Sequence, residues 1–313
     1  MDMFGDSDEE VEKETEPVSR FEKMCKRPNN CGVAAFHEGT EESLLLTVEA
    51  NAERNPQSVL DTIDDFCYSR HWMMHIGEVK GRDLDRGLAK AIQTARERRH
   101  PVIAVELGSY CGYSAVRIAM QLDGPGDLVI SIDSSEKSIQ WARRAVAHSE
   151  LSDRVALICS TAEKCIPAVR ELICGQMAAT GAGSGSGDAA EGVGVDLLLI
   201  DHDKALYYSD LLVFEASGLL QQGAVVVSDN VLSFGQPKQD LLDHVRDPAH
   251  YISSELYTTA LEYSARSLLF AATEAEYCCV SAGTPDKTEL LAAVDVESAL
   301  CETVDGLEVS IHR

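Results

Sequence analysis

From Pro101 onward, short apolar runs alternate with amphipathic stretches. The runs are VIAVEL (102–107), LVISI (128–132), VALI (155–158), DLLLI (196–200) and AVVVS (224–228). Their length and unbroken apolarity suit strands buried on both faces. Between them lie segments of helical period, such as EKSIQWARRAVAHS (136–149). Upstream, EESLLLTVEANAE (41–53) and NPQSVLDTIDDFCYSR (55–70) read as helices. Asn55 and Pro56 open the second of these, and Val59, Ile63 and Phe66 mark its apolar face. Strands alternating with helices predict an α/β fold, a Rossmann-like, mostly parallel sheet with helices on both faces. Ligands bind such sheets outside the carboxyl ends of the strands.

Three stretches break the rhythm. Residues 1–17 carry eight acidic residues and one lysine, too few apolar anchors to offset the entropy of ordering. The predicted organisation is an acidic arm over 1–40 and one domain over 41–313. That domain carries a Gly-rich surface insertion at 175–194 and a second insertion at 264–302, ahead of the closing VDGLEVSI (304–311).

Several strand ends carry candidate chemistry. The first strand runs into Glu106-Leu-Gly108-Ser-Tyr110-Cys-Gly112-Tyr113-Ser114. Glycines there let the backbone turn tightly and approach a ligand at a helix N-terminus. The second strand ends at Asp133, placed to accept both hydroxyl protons of a ribose. A glycine loop with a ribose acid is compatible with a nicotinamide dinucleotide or an adenosyl cofactor, and the two glycines also suit a plain strand-to-helix turn. The fourth strand ends in Asp201-His202-Asp203-Lys204 and the fifth in Asp229-Asn230. Two carboxylates and an amide oxygen form a hard-oxygen set suited to Mg²⁺, although such residues also cap helices after strands. His71 and His75 read as surface residues, and Lys80 as a solvated charge.

Charge narrows the function classes. The 52 Asp and Glu against 27 Lys and Arg leave a formal charge of −25, which repels nucleic acid and anionic lipid. No apolar run approaches the ~20 residues of a spanning helix, and the N-terminus lacks the basic start and apolar core of a signal peptide. None of the ten cysteines forms a CxxC pair, so reduced, mostly buried thiols and a cytoplasmic, monomeric protein are expected.

The chain resembles the catechol O-methyltransferases, enzymes dependent on S-adenosylmethionine and Mg²⁺. The resemblance runs from about Pro56 to Val231 and resumes in Leu261-Glu262-Tyr263 and Val304-Asp-Gly-Leu-Glu308. Its most specific pieces are WMMHIGEVKG (72–81), ELGSYCGYSAVR (106–117), LIDHDK (199–204) and SDNV (228–231). It implies a class I methyltransferase fold, with a seven-stranded sheet whose last strand is antiparallel. It implies that Met74, Ile76, Glu106, Gly108, Tyr110, Tyr113, Ser114, Asp133, Ser134, Ala162, Asp201 and His202 hold the methyl donor. Asp201, Asp229 and Asn230 match the family's Mg²⁺ ligands, Lys204 its catalytic lysine, and Glu262 the acid that holds the acceptor's second hydroxyl. Trp72 matches a wall of the acceptor pocket, where Lys204, Asn230 and Glu262 also meet a small catechol-type substrate. The chain departs from the pattern at Asp203, where the family has an aromatic residue, at Ser160-Thr161-Ala162-Glu163, and at Phe234 in place of a gating proline.

Two other functions compete. A nicotinamide-dependent dehydrogenase would use the same kind of sheet, but GxGxxG is missing. A catalytically degenerate homologue could bind the cofactor or a protein partner, a reading that Asp203 and the 160–163 segment favour and the retained acids and Lys204 oppose.

Overall fold

The computed structural model describes residues 39–180, 194–232, 238–260, 262–263 and 304–313. The predicted acidic arm up to residue 38, residues 181–193 of the first insertion, the whole of the second, and Phe234 lie outside them.

Seven strands form one sheet: β1 (Ile103–Leu107), β2 (Leu128–Asp133), β3 (Val155–Cys159), β4 (Val195–Ile200), β5 (Leu220–Ser228), β6 (Tyr251–Ala260) and β7 (Val304–His312). Their spatial order is β3-β2-β1-β4-β5-β7-β6. β1 to β5 pair in parallel, and β7 runs antiparallel to both β5 and β6. The described helices are α1 (Thr40–Asn51), α2 (Pro56–Ser69), α3 (Gly77–Glu97), α4 (Tyr113–Ala119), α5 (Glu136–His148), α6 (Ala162–Thr180), α7 (Tyr207–Ala216) and α8 (Gln239–Val245).

The apolar strand runs are explained by what covers the sheet. Ala104, Leu197, Leu199, Val225 and Val227 face a core with α1 to α5, while Ile103, Val105, Leu198, Ile200 and Val226 face a second core with α6 to α8. Both positions of the two-residue strand period are therefore buried, and each such Val, Leu or Ile contributes roughly 1.5–3 kcal/mol of burial free energy. The helix starts follow local chemistry. Asn55 caps α2 by accepting from the Ser58 N–H at 2.9 Å, with Pro56 at the first helical position, and Ser135 caps α5 by accepting from the Ser138 N–H at 3.3 Å.

Two local expectations shift. Residues 175–180, assigned to the first insertion by composition, continue α6, and Met177 packs into the core. β5 begins at Leu220, before the AVVVS run. The described thiols are free: Cys67, Cys111 and Cys165 are buried, Cys159 and Cys174 exposed. Among the described residues no helix is long and apolar enough to cross a membrane.

The topology places the site. From β1 the chain steps outward to β2 and β3, then returns to β4 on the other side of β1. The loops after β1 and β4 diverge there and leave a crevice at the carboxyl edge.

Candidate active site

A cleft of about 650 Å³ opens at that edge. Its floor is the turn between β1 and α4. Gly108 adopts φ 106°, and a Cβ there would collide with the Asp201 carbonyl. Gly112, at φ 84°, starts α4 against Ala142. The turn is fastened to β2: the Gly108 N–H donates to the Ile132 carbonyl at 2.8 Å, and the Tyr110 N–H donates to Asp133 Oδ2 at 3.2 Å. The Ser135 N–H donates to Asp133 Oδ1 at 2.8 Å. One carboxylate is thus oriented by two backbone donors while its remaining lone pairs face the cleft.

Of the residues expected to hold a donor, Met74, Ile76, Gly108, Tyr110, Tyr113, Ser114, Asp133, Ser134, Ala162, Asp201 and His202 line this cleft. Glu106 does not. It is fully buried behind the wall, accepting from the Ser114 and Ser131 hydroxyls. Burial pushes its carboxyl up to about 7, against the pull of those two hydroxyls. Its place in the structure is to orient Ser114, which does face the cleft.

His75 corrects the surface reading. It is buried between the Tyr110 and Tyr113 rings, at centroid distances of 5.1 and 5.6 Å. Burial pulls its imidazole down to about 3, so the ring is neutral. The two flanking aromatics are close in sequence only to each other, which is why the pattern around residue 75 did not announce the burial.

The acidic set assembles as adjacent parallel strands require. The Asp201 N–H donates to the Leu107 carbonyl at 2.9 Å, and the Asp229 N–H to the Ile200 carbonyl at 3.1 Å. Those bonds bring both side chains to one edge. Burial and then the charge of Asp229 hold the Asp201 carboxyl well above the usual carboxylate range, and burial raises Asp229 as well. Asn230, in the left-handed region at φ 53°, turns its amide nitrogen toward Asp305 Oδ2 at 2.5 Å and Glu262 Oε1 at 3.2 Å. Carboxylates only accept, so the amide Oδ1 is the atom left for another partner. Two crowded carboxylates and an amide oxygen, all hard donors at one edge of the cleft, fit a small divalent cation.

Lys80 also corrects its reading. It is 1% exposed, and its Nζ meets Asp229 Oδ1 at 2.7 Å, Asp305 Oδ2 at 2.7 Å, and Glu262. Burial alone would lower this ammonium, but Asp229, Asp305 and Glu262 together hold it well above its ordinary value. Asp229, Glu262 and Asp305 have ligating oxygens close enough to share an ion, and the ammonium already stands among them. Burial pushes Glu262 up to about 7 despite Lys80; Asp305 is also penalised by burial, yet Lys80 takes it below the usual range. Asp305 is absent from the sequence-based set. Lys80 was detectable: Gly77, Lys80, Gly81, Leu84 and Leu88 follow the helical period on the buried face of α3, and a lysine on a core stripe must meet a carboxylate.

Around the acids stand the other expected residues. Lys204 Nζ lies 3.8 Å from Asp201 Oδ1 and donates to the Tyr207 hydroxyl at 3.3 Å. The His202 ring stacks on Tyr207 at 5.3 Å and its Nε2 meets Asp210 Oδ2 at 2.9 Å; burial lowers its pKa, so it is neutral near pH 7. Trp72 lines the cleft and donates its Nε1–H to the Glu262 carbonyl at 3.0 Å. Asp203, exposed at the rim, accepts from the Ala205 N–H at 3.0 Å. The structure therefore brings Trp72, Lys204, Asn230 and Glu262 to one end of the cleft and the glycine turn with Asp133 to the other.

Known proteins are similar to this chain in sequence. A family model described as a methyltransferase domain matches residues 105–231. Catechol O-methyltransferase B of Danio rerio is 34% identical over 223 residues, covering 71% of this chain and 73% of that protein. The Bos taurus catechol O-methyltransferase is 33% identical, covering 67% and 66%, and the Mus musculus enzyme 31% identical, covering 72% and 75%. An O-methyltransferase from Bacillus cereus, solved in complex with SAH, superposes with a TM-score of 0.47 at 16% identity, covering 90% of this chain and 94% of that one. The stretch matched by the methyltransferase-domain model contains the glycine turn, the strand-end acids and Lys204, and identity above 30% over more than two thirds of both chains shows that the chain belongs to the catechol O-methyltransferase family.

Proposed function

We propose that this chain is a Mg²⁺-dependent O-methyltransferase that moves the methyl group of S-adenosylmethionine to one hydroxyl of a catechol or similar vicinal diphenol. The observation that carries this reading is the convergence of Asp201, Asp229, Asn230, Lys204 and Glu262 on the cleft that also contains the glycine turn and Asp133.

At the donor end, Asp133 is oriented by backbone N–H groups to receive a ribose diol. Ser114, held by Glu106, and the Met74 and Ile76 side chains suit the rest of the donor, which supplies an electrophilic methyl group. At the acceptor end, Asp201, Asp229 and Asn230 would hold Mg²⁺, which supplies the Lewis acidity that makes a phenol ionise near neutral pH. Lys204, three residues past Asp201, reaches the same space and accepts the acceptor's hydroxyl proton at Nζ or holds the phenolate. Glu262, pushed up to about 7, can hydrogen-bond the second hydroxyl as donor or acceptor. Trp72 closes the side of the pocket against water. Positioning of two reactants in one dry crevice supplies much of the acceleration.

The direct test is incubation with S-adenosylmethionine, Mg²⁺ and a panel of catechols, with methylated product read by mass. Product from vicinal diphenols but not from monophenols is expected. Donor binding without product from any diphenol would favour the non-catalytic reading that Asp203 and the 160–163 segment raise.

The donor end has its own test. Asp133→Ala should weaken S-adenosylmethionine binding by roughly 1.5–3 kcal/mol, the range for a hydrogen bond to a charged group. Metal affinity should hardly change, because Asp133 lies at the opposite end of the cleft from the acids. Calorimetry showing wild-type donor affinity would remove Asp133 from the ribose role.

A further inference from the structure

We infer that Asp64 is a positioning residue that ties the donor end of the cleft to Glu262, holding Tyr113 on one carboxylate oxygen and Tyr263 on the other. The inference rests on the assignment of donor and acceptor ends made above.

Asp64 lies on α2, outside the cleft, and is 2% exposed. Its Oδ2 accepts from the Tyr113 hydroxyl at 3.0 Å and its Oδ1 from the Tyr263 hydroxyl at 3.0 Å. Burial holds both phenols well above their ordinary pKa, so both remain protonated donors. Two neutral donors thus meet the two oxygens of one buried carboxylate, and a phenol that turned away would weaken the hydrogen bonding of a desolvated charge.

Each phenol belongs to a different end of the cleft. Tyr113 begins α4 beside Ser114 and lines the donor end; its ring stacks on His75, which packs at a tilt against Tyr110. Tyr263 directly follows Glu262. Its backbone is held at φ 55°, a region that a tyrosine rarely adopts, and its ring packs edge-on against Tyr68 at 5.1 Å. Gly77, in the left-handed region at φ 67°, lies next to that ring. The next residue back is fixed from both sides: Trp72 holds the Glu262 carbonyl, and Lys80 and Asn230 hold its carboxylate. A shift of Tyr113 on donor binding therefore reaches Glu262 through Asp64 and Tyr263, a path of two hydrogen bonds and one peptide unit. The consequence is that donor and acceptor bind with positive coupling.

The test uses the full-length chain with Mg²⁺, S-adenosylhomocysteine as donor product and nitrocatechol as acceptor probe. Calorimetry gives the factor by which the donor product tightens nitrocatechol binding. That factor should be about 5-fold or more in the wild type, within the usual range of coupling between sites. Tyr113→Phe and Tyr263→Phe keep their rings and their packing but leave Asp64 one donor short, so the folded state should persist with a modestly lower melting temperature. Each should bring the factor close to one, and the double variant should fall no further, because both act through one carboxylate. Asp64→Asn, which keeps one acceptor oxygen, should lie between. Wild-type coupling in both single variants, or strictly additive losses, would overturn the tie. A second readout needs no acceptor: amide exchange in the 262–263 segment should slow on adding S-adenosylhomocysteine to the wild type and stay unchanged in Tyr113→Phe. Absence of that slowing in the wild type also overturns the tie. If the wild type binds the donor product but no nitrocatechol, the catechol reading fails while the exchange measurement still decides the role of Asp64.

Discussion

Chelation with EDTA is expected to abolish methyl transfer, and added Mg²⁺ or Mn²⁺ to restore it. Asp201 and Asp229 stand buried at adjacent strand ends; burial raises both carboxyls, and repulsion from the charge of Asp229 raises Asp201 further while that from Asp305 adds to Asp229. A divalent cation relieves that repulsion and stabilises the charge that develops on the acceptor oxygen, an effect of several kcal/mol and so on the order of 10³-fold in rate. Ca²⁺ should restore little, since it prefers about 6–8 oxygens at longer distances than this three-residue set offers. Asp201→Asn should mimic chelation while leaving the Lys80 cluster intact, because Lys80 bonds to Asp229, Glu262 and Asp305 rather than to Asp201. Undiminished product in EDTA, measured by mass, would sink the metal assignment.

Lys204→Ala is expected to cut kcat by on the order of 10²- to 10⁴-fold, the usual contribution of a positioned general base. The lysine is partly exposed and touches only Asp201 and Tyr207 among the contacts above; its removal takes a cation from beside Asp201, a loss that bound Mg²⁺ would offset, so stability measured with Mg²⁺ should change little. The dissociation constant for S-adenosylmethionine should stay within a few-fold, because Lys204 faces the acceptor end. Lys204→Arg should not restore the rate, as guanidinium does not give up its proton. Wild-type kcat in Lys204→Ala would mean that the proton leaves to water and that Lys204 is a rim charge.

Much of the site was legible because its parts sit at strand ends. An apolar run followed by Asp201, or by Asp229-Asn230, locates a side chain at the carboxyl edge of a parallel sheet before any neighbour is known. The same logic found the glycine turn and Asp133. Glu106 shares the strand end but stands behind the cleft wall, accepting from Ser114 and Ser131. The surface reading failed for His75, whose burial depends on two tyrosines from the β1–α4 turn. Lys80 was misread although its helical phase placed it on the buried face of α3.

By itself, the sequence determined the α/β alternation, the start of α2 at Asn55-Pro56, the two-sided burial of the strands and the family, since each depends on residues a few positions apart or on an ordered set of motifs. Only the tertiary structure decided the charge balance of the acceptor end. Asp305 reaches Lys80 because β7 runs antiparallel between β5 and β6 and so delivers its first residues to the carboxyl edge of β5. Asp64 meets Tyr113 and Tyr263 from 49 and 199 residues away. Pairings of that kind leave no local period in the chain, because a buried charge is satisfied by whichever element the fold brings near it.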